Sequence, residues 1–210
     1  MAGKKDEIEK GELKFLETIA LDYIESCIEP ILASHLISTR DYALEINKAL
    51  SLGIDEEKIS LASLCHDLAR LMPEDEIRRG LSDRGIDPDS LNTASPILLH
   101  GPLSAEIARE KIGIEDEEIL QAIRIHATGC GEMSVLDKVI YIADKIEPTR
   151  DFPGVDDLRK LAFENLDSAF LADISSVIAW LVARNEPLDY NTVAAYNRAL
   201  SGKGRNRGSL

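Results

Sequence analysis

The sequence predicts an all-α protein, and two observations support this prediction. Apolar residues recur at intervals of three and four along almost the whole chain of 210 residues. No segment alternates apolar and polar residues for long enough to indicate a β-strand. Hydrophobic residues make up 44% of the chain and aromatic residues only 5%, so the core must consist mainly of aliphatic side chains. This length suits one compact body with terminal extensions.

The first three predicted helices each end at a recognisable helix-breaking residue. The first carries its apolar stripe over residues 13–24 and ends near Pro30, and the second carries it over 32–46 and ends at Gly53. Asp55 opens the third helix, and Pro73 closes it. Because the third helix has little polar face, we expect it to lie at the centre of the protein.

The remaining helices follow a segment rich in turn-forming residues. Residues 73–95 predict one short amphipathic helix and then turns, which suggests a flap or rim over a site. Further helices are predicted over 102–112, 116–126, 134–146, 156–170, 172–184 and 191–200. Ser134 and Asp137 form a capping pair, and Trp180 is assigned to the core. Residues 201–210 are basic and glycine-rich, and they predict a flexible tail.

Charge and composition exclude several classes of partner. The chain has 24 basic and 38 acidic side chains, and its net charge of -14 repels nucleic acid polymers and anionic membranes. The longest apolar stretch, residues 174–183, is half of the roughly 20 residues that a membrane helix needs. No signal peptide is recognisable, and the cysteines lack a Cys-x-x-Cys pair, so we expect a cytoplasmic protein. A homodimer remains an open alternative.

The histidines are the main indication of a functional site. Only four occur, His35, His66, His100 and His126. Each lies within or at the edge of a predicted helix, beside apolar neighbours rather than in a polar loop. One such histidine alone would most often be an ordinary core side chain with a satisfied hydrogen bond.

Two aspartates stand in equally apolar surroundings. Asp67 follows His66 within the segment LCHDLA, and Asp144 follows the segment VIYIA. A buried carboxylate needs a cationic partner to remain ionised. Imidazoles and carboxylates that converge on one point hold Zn, Mn or Fe, and a set rich in oxygen and nitrogen favours Mn or Fe. Scattered histidines and aspartates with ordinary hydrogen bonds are the alternative that spacing leaves open.

Both the order and the local sequence of these residues resemble known proteins. The order His35, His66-Asp67, His100, His126 and Asp144 resembles the HD superfamily of metal-dependent phosphohydrolases. Three strings resemble more closely the YqeK-type symmetrical diadenosine tetraphosphatases of bacteria: LLHGP at 98–102, IRIHATG at 123–129 and IADKIEPTRDFPGV at 142–155. The resemblance extends from about residue 25 to about residue 195.

This resemblance implies a fold and a metal centre. The fold is a single all-α HD domain over residues 26–200, with a helical extension over 1–25 and the tail over 201–210. Two transition-metal ions are implied in its core, iron being the usual metal, with manganese or zinc as alternatives. The implied ligands are His35, His66, Asp67 and Asp144 for one ion and His100 and His126 for the second, with Asp67 bridging both.

An activity is implied as well, the symmetrical hydrolysis of diadenosine tetraphosphate to two ADP by a metal-activated hydroxide. Two neighbouring cations lower the pKa of a shared water molecule and bind phosphoryl oxygens. Asp67 and Arg70 are the residues that we predict to be catalytic. Two alternatives stay open: a phosphohydrolase that acts on another nucleotide, and a non-catalytic helical domain that senses nucleotides.

A polyphosphate substrate also requires cationic side chains beyond the metal ions. The candidates are Arg70, Arg124 and Arg150, and the backbone amides of Thr128 and Gly129 could form a phosphate cradle. Surface arginines and a glycine that ends a helix are the ordinary explanations for the same residues.

The chain also departs from the resembling family at three positions. Ala127 stands where a second hydroxyl residue is usual, Cys130 follows the glycine, and Lys145 replaces the commoner tyrosine after Asp144. These departures concern the fit of the substrate more than the binding of metal.

Overall fold

Ten α-helices and no strand occur in the part of the chain that the computed structural model describes, residues 2–91 and 93–203. The surroundings of side chains are described for 11–91 and 93–201. The helices are α1 (Ala2–Cys27), α2 (Pro30–Leu50), α3 (Glu56–Cys65), α4 (Glu74–Ser82), α5 (His100–Ile107), α6 (Glu117–Ile125), α7 (Val135–Ile146), α8 (Val155–Glu164), α9 (Leu166–Ala183) and α10 (Tyr190–Lys203). The prediction of an all-α fold is confirmed.

Side chains that cap helix N-termini fix where several helices begin. Asp55 accepts a hydrogen bond from the amide of Glu57 at the start of α3, at 3.0 Å. Ser134 accepts from the amide of Asp137, and the Asp137 carboxylate accepts from the amide of Ser134, at 3.1 and 2.8 Å. This reciprocal arrangement satisfies two backbone donors that a helix leaves unpaired, and it confirms the predicted cap of α7.

The inner helices are those that bring the histidines and aspartates together. Helix α3 packs against α1 and α2 and also contacts α6 and α7. Helix α7 packs against α2, α6 and α9, while α8 and α10 cover α9. All seven side chains from Ile59 to Cys65 are buried, so α3 has the central place that its sequence predicts.

Two predicted helix boundaries are wrong. Helix α3 ends at Cys65, and turns continue from there towards Pro73. Farther along, the sequence predicted helices over 156–170 and 172–184, with the break between them at residue 171. The structure has the break at Asn165 instead. The Asn165 side chain accepts a hydrogen bond from the amide of Ser168 at 2.8 Å, so it caps the start of α9.

Helix α9 is more exposed than its sequence predicted. Trp180 is 57% exposed and Arg184 lies 4.7 Å over its ring, so the assignment of Trp180 to the core is wrong. Among the described helices, α9 alone is long and apolar enough to cross a membrane by length and composition, with 18 residues and a mean hydropathy of 1.6. The apolar stretch predicted at 174–183 is therefore part of a longer helix.

The predicted extension over residues 1–25 coincides with most of α1. Its Leu13, Ala20 and Ile24 side chains are buried in the common core. The division into an extension and a domain stays a prediction. Within the predicted tail, α10 includes residues 201–203, and residues 204–210 lie outside the described part of the chain.

Candidate metal centre

The six predicted ligands come from five separate segments and meet in one place. The side chains that meet are His35 of α2, His66 and Asp67 directly after α3, His100 at the start of α5, His126 directly after α6, and Asp144 of α7. They form two overlapping groups, each with one ligand atom per residue and with these atoms within 4.8 Å of one another. Asp67 belongs to both groups.

The first group surrounds the Nε2 atom of His35. This atom lies 3.3 Å from His66 Nε2, 3.2 Å from Asp144 Oδ1 and 3.8 Å from Asp67 Oδ2. His66 Nε2 lies 3.6 Å from the same Asp67 oxygen and 3.7 Å from the Asp144 oxygen. The group therefore presents two imidazole nitrogens and two carboxylate oxygens to one point.

The second group is built around the other oxygen of Asp67. Oδ1 of Asp67 lies 3.0 Å from His100 Nε2 and 3.2 Å from His126 Nε2, and these two nitrogens are 3.1 Å apart. The Asp67 carboxylate thus divides its oxygens between the two groups, as a bridging ligand would.

The hydrogen bonds of the Nδ1 atoms determine which nitrogen of each imidazole carries the proton. Nδ1 of His66, His100 and His126 each lies against the backbone carbonyl three residues earlier, at 2.7 Å for His66 and 2.8 Å for His126. A carbonyl oxygen can only accept, so Nδ1 donates and Nε2 of a neutral ring keeps its lone pair. Metal-binding histidines are oriented in this way.

These contacts test whether the residues fit a metal ion. Asp67 Oδ1 is buried and makes no hydrogen bond among the described residues. It faces two imidazole nitrogens whose lone pairs also face each other, an arrangement that repels unless a cation lies between. Ligand atoms about 2.1 Å from a metal lie about 3.0 Å apart at right angles and about 3.4 Å apart in a tetrahedral arrangement. The shortest separations here run from 3.0 to 3.3 Å, and the longest reaches 3.8 Å. The residues fit a transition-metal ion, and ordinary hydrogen bonds do not explain them.

The electrostatics of the site favour a cation as well. Burial opposes the ionisation of Asp67, but the nearby histidines outweigh it and hold the pKa of Asp67 well below its usual value. Burial opposes ionisation of Asp144 too, but Lys145 and two histidines hold its pKa well below the usual value. Burial and the neighbouring imidazoles lower the pKa of His126 to about 4. Burial opposes protonation of His66, but Asp67 and Asp144 outweigh it and raise the pKa of His66. The two carboxylates are therefore anionic and attract positive charge to this point, and anionic carboxylates are the form that binds metal.

One residue without a predicted role, Glu147, orients His35. Its carboxylate is fully buried, accepts from His35 Nδ1 at 3.2 Å and from Ser38 Oγ at 2.7 Å, and takes the amide of Thr149 at 2.8 Å. Burial opposes its ionisation, but the hydrogen bonds from Thr149 and Ser38 lower its pKa. The argument that singled out Asp144, a carboxylate beside apolar neighbours, applies equally to Glu147, which follows Ile146.

A cavity of about 320 Å³ is lined by four of the six predicted ligands, all except His35 and His66, and by three cationic side chains, Arg70, Lys145 and Arg150. Arg70 Nε lies 4.0 Å from Asp67 Oδ2, and Arg150 Nη2 lies 2.5 Å from an oxygen of Asp144. Besides the ligands and cations, the cavity is lined by Ile97, Leu98, Ala127 and Phe152. A cavity lined by both cationic and apolar side chains suits an anionic ligand with an apolar part.

Three predicted substrate contacts are not brought to this cavity. Arg124 faces Glu117 at 3.8 Å and Glu106 at 4.0 Å instead. The amides of Thr128 and Gly129 both donate to the carbonyl of Ile125, at 3.1 and 2.7 Å. These amides end α6 and are not free to form the predicted phosphate cradle.

A profile of the HD domain matches residues 32–149. The chain belongs to the HD-domain family. All six ligands, together with Glu147, lie inside the stretch that the HD domain covers. The family that the sequence motifs predicted is confirmed.

Relatives of the HD-domain chain share most of its length. The symmetrical bis(5'-nucleosyl)-tetraphosphatase of Halalkalibacterium halodurans is 39% identical over 79% of this chain and 87% of its own. The protein of the same name from Bacillus subtilis is 37% identical over 80% and 89%. A crystal structure from Clostridium acetobutylicum, described as a predicted HD superfamily hydrolase involved in NAD metabolism, has a TM-score of 0.82. It is 35% identical and covers 87% of this chain and 96% of that one.

Proposed function

We propose that this HD-domain protein hydrolyses diadenosine tetraphosphate symmetrically to two ADP, with two transition-metal ions as cofactors. The carboxylate of Asp67, shared between two imidazole groups at the base of a cationic cavity, is the observation that supports this proposal most strongly. The names of the curated relatives agree with it. We propose iron as the usual metal, with manganese and zinc as alternatives, since imidazole and carboxylate ligands accept all three.

The metal centre and the chain have separate tasks in this reaction. Metal ions held by the six ligands would supply Lewis acidity towards phosphoryl oxygens and a water molecule of lowered pKa. Asp67 holds the two halves of the centre at a fixed separation, because each of its oxygens faces one group. Glu147 keeps the Nδ1 proton of His35, so that Nε2 stays available as a ligand atom.

The cationic side chains bind and orient the polyphosphate. Arg70 has a side chain 39% exposed and only a long contact to Asp67, so it can turn to a phosphate oxygen. Arg150 is held in place because Arg159 donates to its carbonyl at 2.7 Å. Guanidinium groups pair with phosphate oxygens through two parallel hydrogen bonds, and this pairing fixes the orientation of the polyphosphate. In the proposed reaction the leaving group is ADP, and negative charge on its terminal phosphate would develop beside these groups.

The mouth of the cavity suits the nucleoside parts of the substrate. Ile97 is 54% exposed and Phe152 is 38% exposed, and both line the cavity that holds the metal ligands. An exposed aromatic ring and an aliphatic side chain can pack against the faces of a purine. We propose that they contact an adenine of the dinucleotide.

We also propose a cytoplasmic location. The described cysteines Cys27, Cys65 and Cys130 are free thiols, as is typical of a reducing compartment. Cell fractionation tests this proposal, and recovery of the protein with the membrane fraction would contradict it.

The activity is tested by incubating purified protein with diadenosine tetraphosphate and separating the products by chromatography. Loading with iron, manganese or zinc in turn identifies the active metal. ADP as the only product is the expected result. ATP together with AMP, or no turnover with any of the three metals, would contradict the proposal. A panel of other nucleotides separates it from a broader phosphohydrolase activity.

Three variants test the roles of individual residues. Asp67→Ala should abolish metal occupancy and turnover together, and normal binding of two ions by this variant would show that Asp67 does not bridge. Arg70→Ala should lower kcat/KM about 10- to 100-fold, the value of a lost hydrogen bond to a charged group. Arg124→Ala is the control, because it removes an arginine side chain that does not line the cavity, and it should leave kcat/KM unchanged.

A further inference from the structure

The two oxygens of the Asp144 carboxylate have different partners. Oδ1 faces the metal ligands, at 3.2 Å from His35 Nε2 and 3.7 Å from His66 Nε2. Oδ2 accepts a hydrogen bond from Lys145 Nζ at 2.8 Å. The carboxylate therefore presents a single oxygen to the first group of ligands.

The position of Lys145 is itself constrained by the surrounding side chains. Its ammonium group lies 5.5 Å from the centre of the Tyr141 ring, one turn earlier on α7. The Tyr141 hydroxyl donates to the buried Asp173 at 2.9 Å, so this hydrogen bond holds the ring in place. The lysine side chain is 28% exposed and forms part of the cavity wall.

Arg150, the other cation on Asp144, cannot perform the same task. Its Nη2 atom lies 2.5 Å from Oδ1 and 3.3 Å from His35 Nε2, so it uses the oxygen that faces the metal ligands. Lys145 uses the opposite oxygen. Lys145 can thus keep its hydrogen bond whenever Oδ1 serves as a ligand.

We propose that Lys145 is a positioning residue of the metal centre, which holds Oδ2 of Asp144 and so presents Oδ1 alone to the side of the centre formed by His35 and His66. This inference rests on the metal-dependent function proposed above. A carboxylate without this hydrogen bond can rotate about its terminal bond. Partners behind the ligands hold such groups in place, and their loss lowers metal affinity 10- to 100-fold.

Orientation and charge have opposite consequences here. The positive charge of Lys145 by itself repels a metal cation, so its removal would strengthen metal binding if charge alone mattered. Loss of the hydrogen bond to Oδ2 weakens metal binding instead. The sign of the change in affinity therefore decides between the two explanations.

The test measures the affinity of metal-free protein for Mn²⁺ and for Zn²⁺ by isothermal titration calorimetry. Lys145→Met removes the hydrogen bond and should weaken the binding of one ion by about 10- to 100-fold. Lys145→Arg keeps a donor and should stay within about threefold of the wild-type affinity, a range smaller than the loss of one such partner. Lys138→Met is the matched control, because Lys138 lies on the same helix and pairs with Asp167 at 2.7 Å, away from the ligands.

Three results would overturn the inference: tighter binding by Lys145→Met, unchanged binding with only a lower Tm, or an equal loss in Lys138→Met. Lys145→Ala is measured in parallel and interpreted in the same way, in case the methionine variant does not fold. Calorimetry does not depend on turnover. If the wild type binds metal but leaves diadenosine tetraphosphate intact, only the proposed function fails, and if affinity is insensitive to Lys145, only this inference fails.

Discussion

Gly101 lies at a close approach between α5, which begins with His100, and α6, which His126 directly follows. A Cβ atom added at Gly101 would lie 2.7 Å from the backbone oxygen of Arg124 in α6. That distance is about 0.7 Å short of the 3.4 Å at which ordinary contact begins, and a backbone atom cannot turn aside as a flexible side chain can. Gly101→Ala should therefore force α5 and α6 apart by about this amount.

The expected loss of stability follows from two opposing contributions. Overpacking in a close-packed interior costs about 1–3 kcal/mol. Alanine in place of glycine within a helix recovers about 1 kcal/mol. Because the clash is with backbone, we expect the larger part of the range, a net loss of about 1–2 kcal/mol. For a chain of this size the corresponding decrease in Tm is about 2–8 °C.

The same displacement acts on the metal centre. His100 precedes Gly101 and His126 follows Arg124 by two residues, so separation of the helices widens the 3.1 Å gap between their Nε2 atoms. Ligands held more than about 0.5 Å from their productive positions lose function. We expect Gly101→Ala to reduce the metal content of protein reconstituted with excess Mn²⁺, as measured by elemental analysis.

Gly11→Ala is the matched control for this variant. Gly11 lies in α1, and a Cβ added there meets nothing within 4 Å. This change should raise the free energy of unfolding by about 1 kcal/mol and leave the metal content unchanged. The reasoning is refuted if urea denaturation shows that both glycine variants are equally stabilised, or if Gly101→Ala retains full metal occupancy.

Three further predictions concern a helix cap, an ion pair and the metal itself. Ser134→Ala removes the acceptor that caps α7 and should lower the free energy of unfolding by about 1 kcal/mol in urea denaturation, whereas no change would contradict the role of the cap. Burial opposes ionisation of Asp116, but Lys58 at 2.9 Å outweighs it and lowers the pKa of Asp116. This carboxyl stabilises the fold above its unfolded pKa of about 3.9 and loses that contribution as the pH falls through its lower folded pKa, so Lys58→Met should reduce the acid-induced loss of stability measured below about pH 4. Removal of bound metal by a chelator should lower the Tm by about 5–10 °C in scanning calorimetry, because a ligand at 100 times its Kd stabilises by about 2.7 kcal/mol, and an unchanged Tm would contradict the metal centre.

Local chemistry made some candidate ligands recognisable in the sequence. An imidazole or carboxylate among apolar residues needs a partner wherever the chain folds, so His66, Asp67 and Asp144 were candidates without knowledge of the fold. Their spacing left ordinary hydrogen bonds open as an alternative, and the resemblance to the HD superfamily implied the full set of ligands. The capping pair at Ser134 was equally predictable, because it involves residues three positions apart. In both cases the signal comes from residues that are close together in the sequence.

Features that depend on contacts between distant segments were not predictable. Arg70 and Arg124 look alike in sequence, but only the packing of the helices places the first in the cavity and the second against Glu117. Trp180 is apolar like a core residue, yet it lies in the last part of α9, where residues 179–184 are all exposed or half-buried. The Gly129 amide is used by the end of α6, a hydrogen bond that the sequence alone does not distinguish from a free donor.

Residues 144–150 form the part of the chain on which the metal centre depends most. The segment supplies the candidate ligand Asp144, the two cations that contact its carboxylate, Lys145 and Arg150, and the carboxylate of Glu147 that orients His35. These four side chains point to one centre because α7 ends at Ile146 and the chain turns immediately, with Arg150 donating back to the carbonyl of Asp144 at 2.8 Å. An insertion within this turn would displace both the side chains that contact Asp144 and the carboxylate that orients His35. An insertion after α4 would move none of these groups.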